Sequence, residues 1–310
     1  MNSILGHAEV NAIVEGRHPE PFSILGQHPI GEEAVESLGG RAVIRTFQPQ
    51  AEQVAVIDAE GQRIPLERVH PHGLFERIFP DTIGPYRLEL SQEQHHWEII
   101  DAYSMTSPMG EMDRYLLNEG THQELYQVLG SNPMQFQGVA GVEFAVWAPN
   151  ARRVSVVGDF NDWDGRRHVM RSHPGSGVWD IFIPAVGNGA LYKFEIVADD
   201  GRLLPLKHDP YAPYFEQPPG NASIVFESQF IWSDDDYQAN KKSLDMRNRP
   251  MSIYEVHAGS WRLNVKGDSL TYVEMAKTLL PYVLECGFSH IELMPITEHP
   301  FDGSWGYQPI

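Results

Sequence analysis

The sequence contains an internal repeat with a spacing of about one hundred residues. Four short segments recur in the same order, at offsets of 100 to 108: Phe22–Gly26 with Tyr126–Gly130, Phe47–Pro49 with Trp147–Pro149, Gly84–Tyr86 with Ala190–Tyr192, and Asp101–Tyr103 with Asp209–Tyr211. Agreement in both order and spacing indicates a tandem duplication rather than chance. The repeat limits the first two thirds of the chain to two copies of one fold.

The apolar residues inside each copy predict β-strands. They form short alternating runs at Ala42–Phe47, Val54–Ile57, Val154–Val157 and Val178–Ile183. Turn-forming residues such as Asp58–Gly61 separate these runs, as in all-β sandwiches. We therefore predict a mostly β chain with two tandem immunoglobulin-like β-sandwiches. The first spans 1–106 with a short leading helical segment, and the second spans 107–226.

The pattern changes after the second copy. Residues 227–250 are polar and predict a linker. Within 251–310, the apolar runs Ile253–Val256 and Ile291–Met294 flank a helical stripe that begins at Thr271, three residues before Glu274, as in a capping box. A β-α-β unit of this kind predicts two parallel strands.

Composition narrows the possible partners. The net charge of −19 argues against nucleic acids and anionic membranes but is compatible with a neutral ligand. Neither a signal peptide nor an apolar run of membrane-spanning length is recognised. The single cysteine, Cys286, suits the cytoplasm. No metal-binding spacing and no nucleotide-binding loop is recognised, so the sequence predicts no metal and no cofactor.

Two stretches carry a resemblance to a known family. The first stretch is Phe144–Asn161 with Trp163–Arg167 after it, and the second is Glu298–Pro309, which reads EHPFDGSWGYQP. Both stretches resemble the bacterial glycogen (1,4-α-glucan) branching enzymes of the α-amylase superfamily. The resemblance implies that 251–310 opens a (β/α)₈ catalytic barrel. A complete barrel of this type takes roughly 250 residues, so only its first β-α-β portion is expected here.

The resemblance also implies a reaction. These enzymes cut an α-1,4 bond of a glucan and pass the chain to a 6-hydroxyl, through carboxylates that follow the fourth, fifth and seventh barrel strands. Such a retaining mechanism needs two carboxyl groups about 5 Å apart. No catalytic residue is therefore expected within the present sequence, and the chain alone is predicted to be inactive. The full-length parent is expected to be a monomer that acts on glycogen, amylose and malto-oligosaccharides.

Binding residues are expected in two places. The resemblance implies that Tyr307 stacks on a sugar beside the scissile bond, with Trp305 and Asp302 shaping the same loop. Glu255 and His257 are expected to fix a loop through hydrogen bonds. In the second sandwich, the resemblance implies glucan binding by three residues: Trp163, Lys193 and Asn221.

Two alternatives remain open at this point. One is a stand-alone glucan-binding adaptor built on two sandwiches. The other is a trehalose-releasing or debranching relative from the same superfamily, against which the string Phe301–Pro309 argues. Reading the coding sequence beyond Ile310 would separate the adaptor from a branching enzyme.

Overall fold

The computed structural model of the chain describes residues 3–217, 219–243, 245, 248–297, 299 and 302–308. The chain divides into two compact units, Met1–Glu227 and Ser228–Ile310. In the described part of the chain, no helix combines the length and the apolar character needed to cross a bilayer.

The first copy of the repeat is a helix followed by a sandwich of two antiparallel sheets. Its helices and strands are α1 (His7–Val14), β1 (Gly26–Pro29), α2 (Glu32–Leu38), β2 (Ala42–Phe47), β3 (Gln53–Ile57), β4 (Arg63–Pro65), β5 (Glu67–His70), β6 (Leu74–Phe79), β7 (Arg87–Gln92) and β8 (His95–Ile99). One sheet has the order β1-β2-β6-β5 and the other β4-β3-β7-β8. Alternate residues such as Ile44, Phe75, Val56 and Leu88 meet in the core between them.

The second copy repeats this plan. Its helix and strands are α3 (Glu111–Glu119), β9 (Gly130–Phe136), β10 (Val139–Trp147), β11 (Ala151–Gly158), β12 (Arg171–His173), β13 (Val178–Pro184), β14 (Leu191–Ala198), β15 (Tyr214–Phe215) and β16 (Ser223–Ile224). The sheets have the orders β12-β13-β10-β9 and β11-β14-β16-β15. Phe144, Val156, Trp179 and Phe194 share one core. The mostly β content and the sandwich form predicted for this region are confirmed.

A buried tyrosine–aspartate pair occupies the same place in both copies. The Tyr86 hydroxyl donates to Asp101 at 2.9 Å, and the Tyr192 hydroxyl donates to Asp209 at 2.6 Å. Each carboxylate also accepts the backbone N–H two residues further on, from Tyr103 and from Tyr211. The residues that revealed the repeat in the sequence are therefore bonded to each other in the fold.

The repeat extends further toward the N-terminus than its sequence match suggests. Gly6 and Gly110, 104 residues apart, are the N-caps of α1 and α3. After each helix a histidine accepts the backbone N–H of a glutamate, His18 from Glu20 and His122 from Glu124, both at 3.1 Å. Each copy is thus a helix, a histidine turn and a sandwich.

The two sandwiches are joined through partly buried side chains. The Tyr103 hydroxyl, from the end of the first copy, accepts the Val169 N–H at 3.0 Å in the second. The Arg171 guanidinium lies 3.9 Å from the centre of the Phe22 ring and donates to the Met105 carbonyl at 2.9 Å. The polar ends of these side chains are satisfied across the junction, so the two copies pack as one body.

The second unit contains α4 (Asp235–Ser243), β17 (Ile253–Val256), α5 (Ala258–Trp261), α6 (Tyr272–Glu285) and β18 (His290–Leu293). The predicted capping box is confirmed, since Thr271 accepts from Glu274 N–H while the Glu274 carboxylate accepts from Thr271 N–H. The predicted parallel pairing of β17 and β18 is also confirmed.

Two details of the prediction for this unit were wrong. The second strand begins one residue earlier than Ile291 because Ser252 and Ser289 exchange hydrogen bonds at the strand starts, which pairs Ile253 with His290. The helical stripe is also only partly buried. Met275, Leu279 and Val283 are in the core, whereas Leu280 and Leu284 are exposed.

Candidate functional site

A long loop, residues 159–170, follows β11 in the second sandwich and carries Trp163. The loop is built on Asn161, whose side chain is fully buried. Asn161 Oδ1 accepts the Gly158 N–H, and Nδ2 donates to the Val156 carbonyl, both at 2.9 Å. Burial lowers the pKa of His168 to about 3, so its imidazole is neutral and Nδ1 can accept from the Asn161 amide. At the base of the loop, both polar atoms of the Asn161 side chain therefore have hydrogen-bond partners.

The tip of this loop has unusual backbone conformations. Asp162 and Trp163 have φ values of 57° and 59°, in the left-handed region that side chains other than glycine rarely adopt. The Trp163 N–H donates to the Gly158 carbonyl at 3.0 Å, and its indole Nε1 donates to Asp159 at 2.9 Å. These bonds fix the ring orientation and leave the indole partly exposed.

The structure brings together two of the three predicted glucan-binding residues of this module. Lys193 lies on β14, and its ammonium donates to the side-chain oxygen of Asn221. Trp163 bonds the Gly158 carbonyl at the end of β11, and Gly158 pairs with Tyr192, the neighbour of Lys193. These three residues carry an indole face, an ammonium and an amide, which is a combination suited to a pyranose ring and its hydroxyl groups.

Lys193 has a second lysine and a histidine near it. Burial lowers the pKa of His208, and the nearby Lys193 and Lys207 lower it further. His208 packs edge-on against Phe215 at 6.1 Å. Carboxylates also lie beside these residues, since Asp159 accepts from the Trp163 indole and Glu216 accepts the Asn221 backbone N–H.

The predicted substrate-cleft residues of the second unit lie in the segment 302–308. Tyr307 and Trp305 are 60% and 62% exposed. The Trp305 ring is 5.4 Å from that of His257, which follows β17, and the His257 Nδ1 also bonds the Ser260 hydroxyl at 2.8 Å. His257 is therefore a loop-fixing residue, as expected. Glu255 is exposed on β17, and the side chain of Asp302 lies outside the described residues.

Several supporting residues were missed by the sequence reasoning. Asn161, Asp159 and His168 orient Trp163 but lack any motif of their own. The available signal was the stretch Gly158–Trp163, in which short polar residues between a strand and an aromatic residue indicate a self-bonded loop. Among the described residues, no cluster of three His, Cys, Asp or Glu side chains is arranged to hold a metal ion.

Comparison with known proteins adds the family. The chain matches the family model for the alpha-1,4-glucan branching enzyme GlgB, N-terminal domain, over residues 6–103. It then matches carbohydrate-binding module 48 (isoamylase N-terminal domain) over residues 128–212. The 1,4-alpha-glucan branching enzymes GlgB of Rhodospirillum rubrum and Rubrobacter xylanophilus are 49% and 50% identical to it, over 97% of this chain and 41% of theirs. The chain is similar to the N-terminal part of GlgB branching enzymes.

The resemblance drawn from the sequence to the branching enzymes is thereby confirmed, and the chain spans about two fifths of the length of the relatives it matches. Among solved structures, a putative alpha amylase from Salmonella typhimurium matches 59% of this chain and 27% of its own, at 21% identity and a TM-score of 0.40. A pullulanase complexed with maltotetraose from Anoxybacillus sp. matches 83% and 37%, at 17% identity and a TM-score of 0.39.

Proposed function

We propose that this chain is the N-terminal portion of a 1,4-α-glucan branching enzyme. The observation that carries the proposal is the alignment of 97% of the chain with enzymes of that name at about half identity. The parent would cleave α-1,4-glucan chains and transfer them to a 6-hydroxyl, creating α-1,6 branches. The domains would be 1–106 and 107–226 as sandwiches, 227–250 as a linker, and 251–310 as the first part of a (β/α)₈ barrel.

The part played by this chain would be to bind glucan. Trp163 would stack on the apolar face of a glucose unit, because its indole is held by Asp159 and left partly exposed. The Lys193 ammonium and the Asn221 amide would donate to sugar hydroxyl groups. Tyr307 and Trp305, both largely exposed, would line the edge of the substrate cleft in the parent, with Asp302 in the same loop.

Glucan binding can be tested on the chain as it stands. Titration with maltoheptaose should give a measurable affinity that Trp163→Ala lowers about tenfold or more, since the stacking face is lost. Trp147→Ala is a matched control, because Trp147 is a 61%-exposed tryptophan of the same sandwich, at the end of β10. Equal affinities of the wild type and Trp163→Ala would refute this site.

Catalysis gives a separate test. A retaining transfer needs a nucleophilic carboxylate and an acid about 5 Å apart, and the resemblance assigns both to later barrel strands. The chain alone should leave the iodine spectrum of amylose unchanged. A change above the level of a mock-purified sample would contradict this assignment.

A further inference from the structure

The Trp163 loop is held from outside its own sandwich as well as from within. Its inner support is the network around Asn161. Its outer support is Arg166, which binds the Asp164 carboxylate with two groups, Nε at 2.9 Å and Nη2 at 2.6 Å. A bidentate pair of this kind fixes the orientation of both side chains. Arg166 thus controls the position of the residue next to Trp163.

The same guanidinium reaches the first copy of the repeat. Arg166 Nη1 donates to the Val14 carbonyl at 3.4 Å, at the C-terminal end of α1. The guanidinium also lies 5.6 Å from the centre of the Phe47 ring, at the end of β2. One side chain therefore touches the leading helix, the first sandwich and the Trp163 loop.

A second arginine strengthens this connection. Arg153, a buried residue of β11, donates to the Gly16 carbonyl and to the Glu195 carboxylate. Two guanidinium groups thus face the carbonyl end of α1, where the helix dipole favours positive charge. Gly16 has a φ of 63°, and a Cβ there would lie 2.6 Å from Arg153 Nη1 and 2.9 Å from Arg166 Cγ. Only glycine allows this close approach.

The leading helix is itself fixed to the first sandwich. Val10, Ile13 and Val14 are buried against Phe47 and Leu74. The position of α1 is therefore determined by the first core, and Arg166 transmits that position to the loop. A tip with two left-handed residues needs such external support, because its backbone does not favour this conformation on its own.

We infer that Arg166 is a positioning residue through which the first sandwich and its helix set the glucan affinity of the second. The inference rests on the proposed glucan binding by Trp163. The first copy then contributes to glucan recognition without contacting the sugar. Its contribution is the fixed geometry of an aromatic side chain on the neighbouring copy.

The test is an Arg166→Met variant of the whole chain, which keeps an apolar stem near Phe47 and removes the polar contacts. We expect its affinity for maltoheptaose to fall about fivefold. The indole N–H resonance of Trp163, assigned with Trp163→Phe, should shift because that group donates to Asp159. Arg166→Lys should restore part of both signals, since a single ammonium cannot form the bidentate pair.

Arg17→Met is the matched control, because Arg17 is an exposed residue near the same helix end that pairs with Glu15. It should match the wild type in both measurements. The buried Trp179 indole, which donates to the Ala148 carbonyl, reports general unfolding. If Arg166→Met also shifts the Trp179 resonance, the Arg166→Lys variant becomes the deciding one. Its affinity for maltoheptaose should then be lower than that of the wild type.

An unmoved Trp163 resonance or an unchanged affinity in the deciding variant overturns the inference. Failure of the proposed glucan site is distinguishable, because Trp163→Ala would then bind as the wild type does. If Trp163→Ala weakens binding and the deciding Arg166 variant does not, the glucan site stands and the coupling to the first copy is wrong.

Discussion

The two copies of the repeat have separate cores of the same plan. They differ in the loop that follows one equivalent strand. After β3, the first copy turns within Asp58–Gly61 and returns as β4. After β11, the second copy inserts the longer loop with Trp163. Both copies keep the buried tyrosine–aspartate pair. The pair maintains the sandwich, so the loop was free to change without altering the fold.

The buried acids differ between the copies in an instructive way. Glu76 on β6 and Asp180 on β13 are equivalent, and each accepts from a serine that precedes its copy's helix, Ser3 or Ser107. Glu76 pairs with Arg45, but Ala145 stands at the Arg45 position of the second copy. Asp180 binds His173 at 3.0 Å instead. The basic neighbour of this buried acid therefore comes from the opposite neighbouring strand in the second copy.

The largest expected effect comes from Glu143, which occupies the position of Val43 in the first copy. Burial, helped by Asp180 and Asp113, raises the pKa of Glu143 to about 8. The pKa of Glu143 is thus higher in the folded state than in the unfolded state. The contribution of this side chain to stability is therefore complete below pH 4.5 and is lost as the pH rises to about 8. Relative to Glu143→Gln, the wild type should lose about 5 kcal/mol of unfolding free energy across that window.

Urea denaturation of both proteins at a series of pH values measures this difference. The exposed Glu36→Gln of α2 is the control and should follow the wild type. If the unfolding free energies of the wild type and Glu143→Gln changed in parallel with pH, burial would not disturb the titration of Glu143. The contrast between Glu143 and Val43 would then be wrong.

A smaller effect tests whether the tyrosine–aspartate pairs are equivalent. Asp101→Ala and Asp209→Ala each leave a buried hydroxyl and a backbone N–H without an acceptor. We expect each to lower the unfolding free energy by about 3 kcal/mol. Asp199→Ala, at an exposed turn, should change it little. A loss at one site without a similar loss at the other would mean that only one copy depends on its pair.

The smallest effect concerns the histidine turns. His18→Ala and His122→Ala each remove one acceptor of a backbone N–H, and each should lower the unfolding free energy by about 1 kcal/mol. His122 should cost slightly more, since it also contacts Asp113 at 3.2 Å. The exposed His95→Ala serves as the reference. A larger loss at His18 than at His122 would reverse this order.

The sequence was sufficient for features that recur or alternate. The spacing from Tyr86 to Tyr192 predicted two sandwiches, and Thr271 with Glu274 predicted a helix start. The same information was present in Gly16–Glu20 and Gly120–Glu124, which share a Gly-x-His-x-Glu pattern. That similarity is too short to recognise until the helices before it are seen to correspond.

Contacts between distant segments could not be predicted in this way. Arg166 and Val14 are 152 positions apart, and nothing in either segment specifies the other. The strand register in the second unit depends on Ser252 and Ser289, whose mutual bonds are invisible to a hydrophobic pattern. Trp163, Lys193 and Asn221 were identified by resemblance, whereas Asn161 became evident only from its three buried bonds.

The Tyr103 hydroxyl at the junction has a practical consequence for protein engineering. A cut between residues 106 and 107 would remove the acceptor of the Val169 N–H, and Arg171 would lose its contacts with Phe22 and Met105. The surface of the second sandwich that packs against the first copy would then be exposed to solvent. A chimaera that borrows the second sandwich should therefore take both copies together.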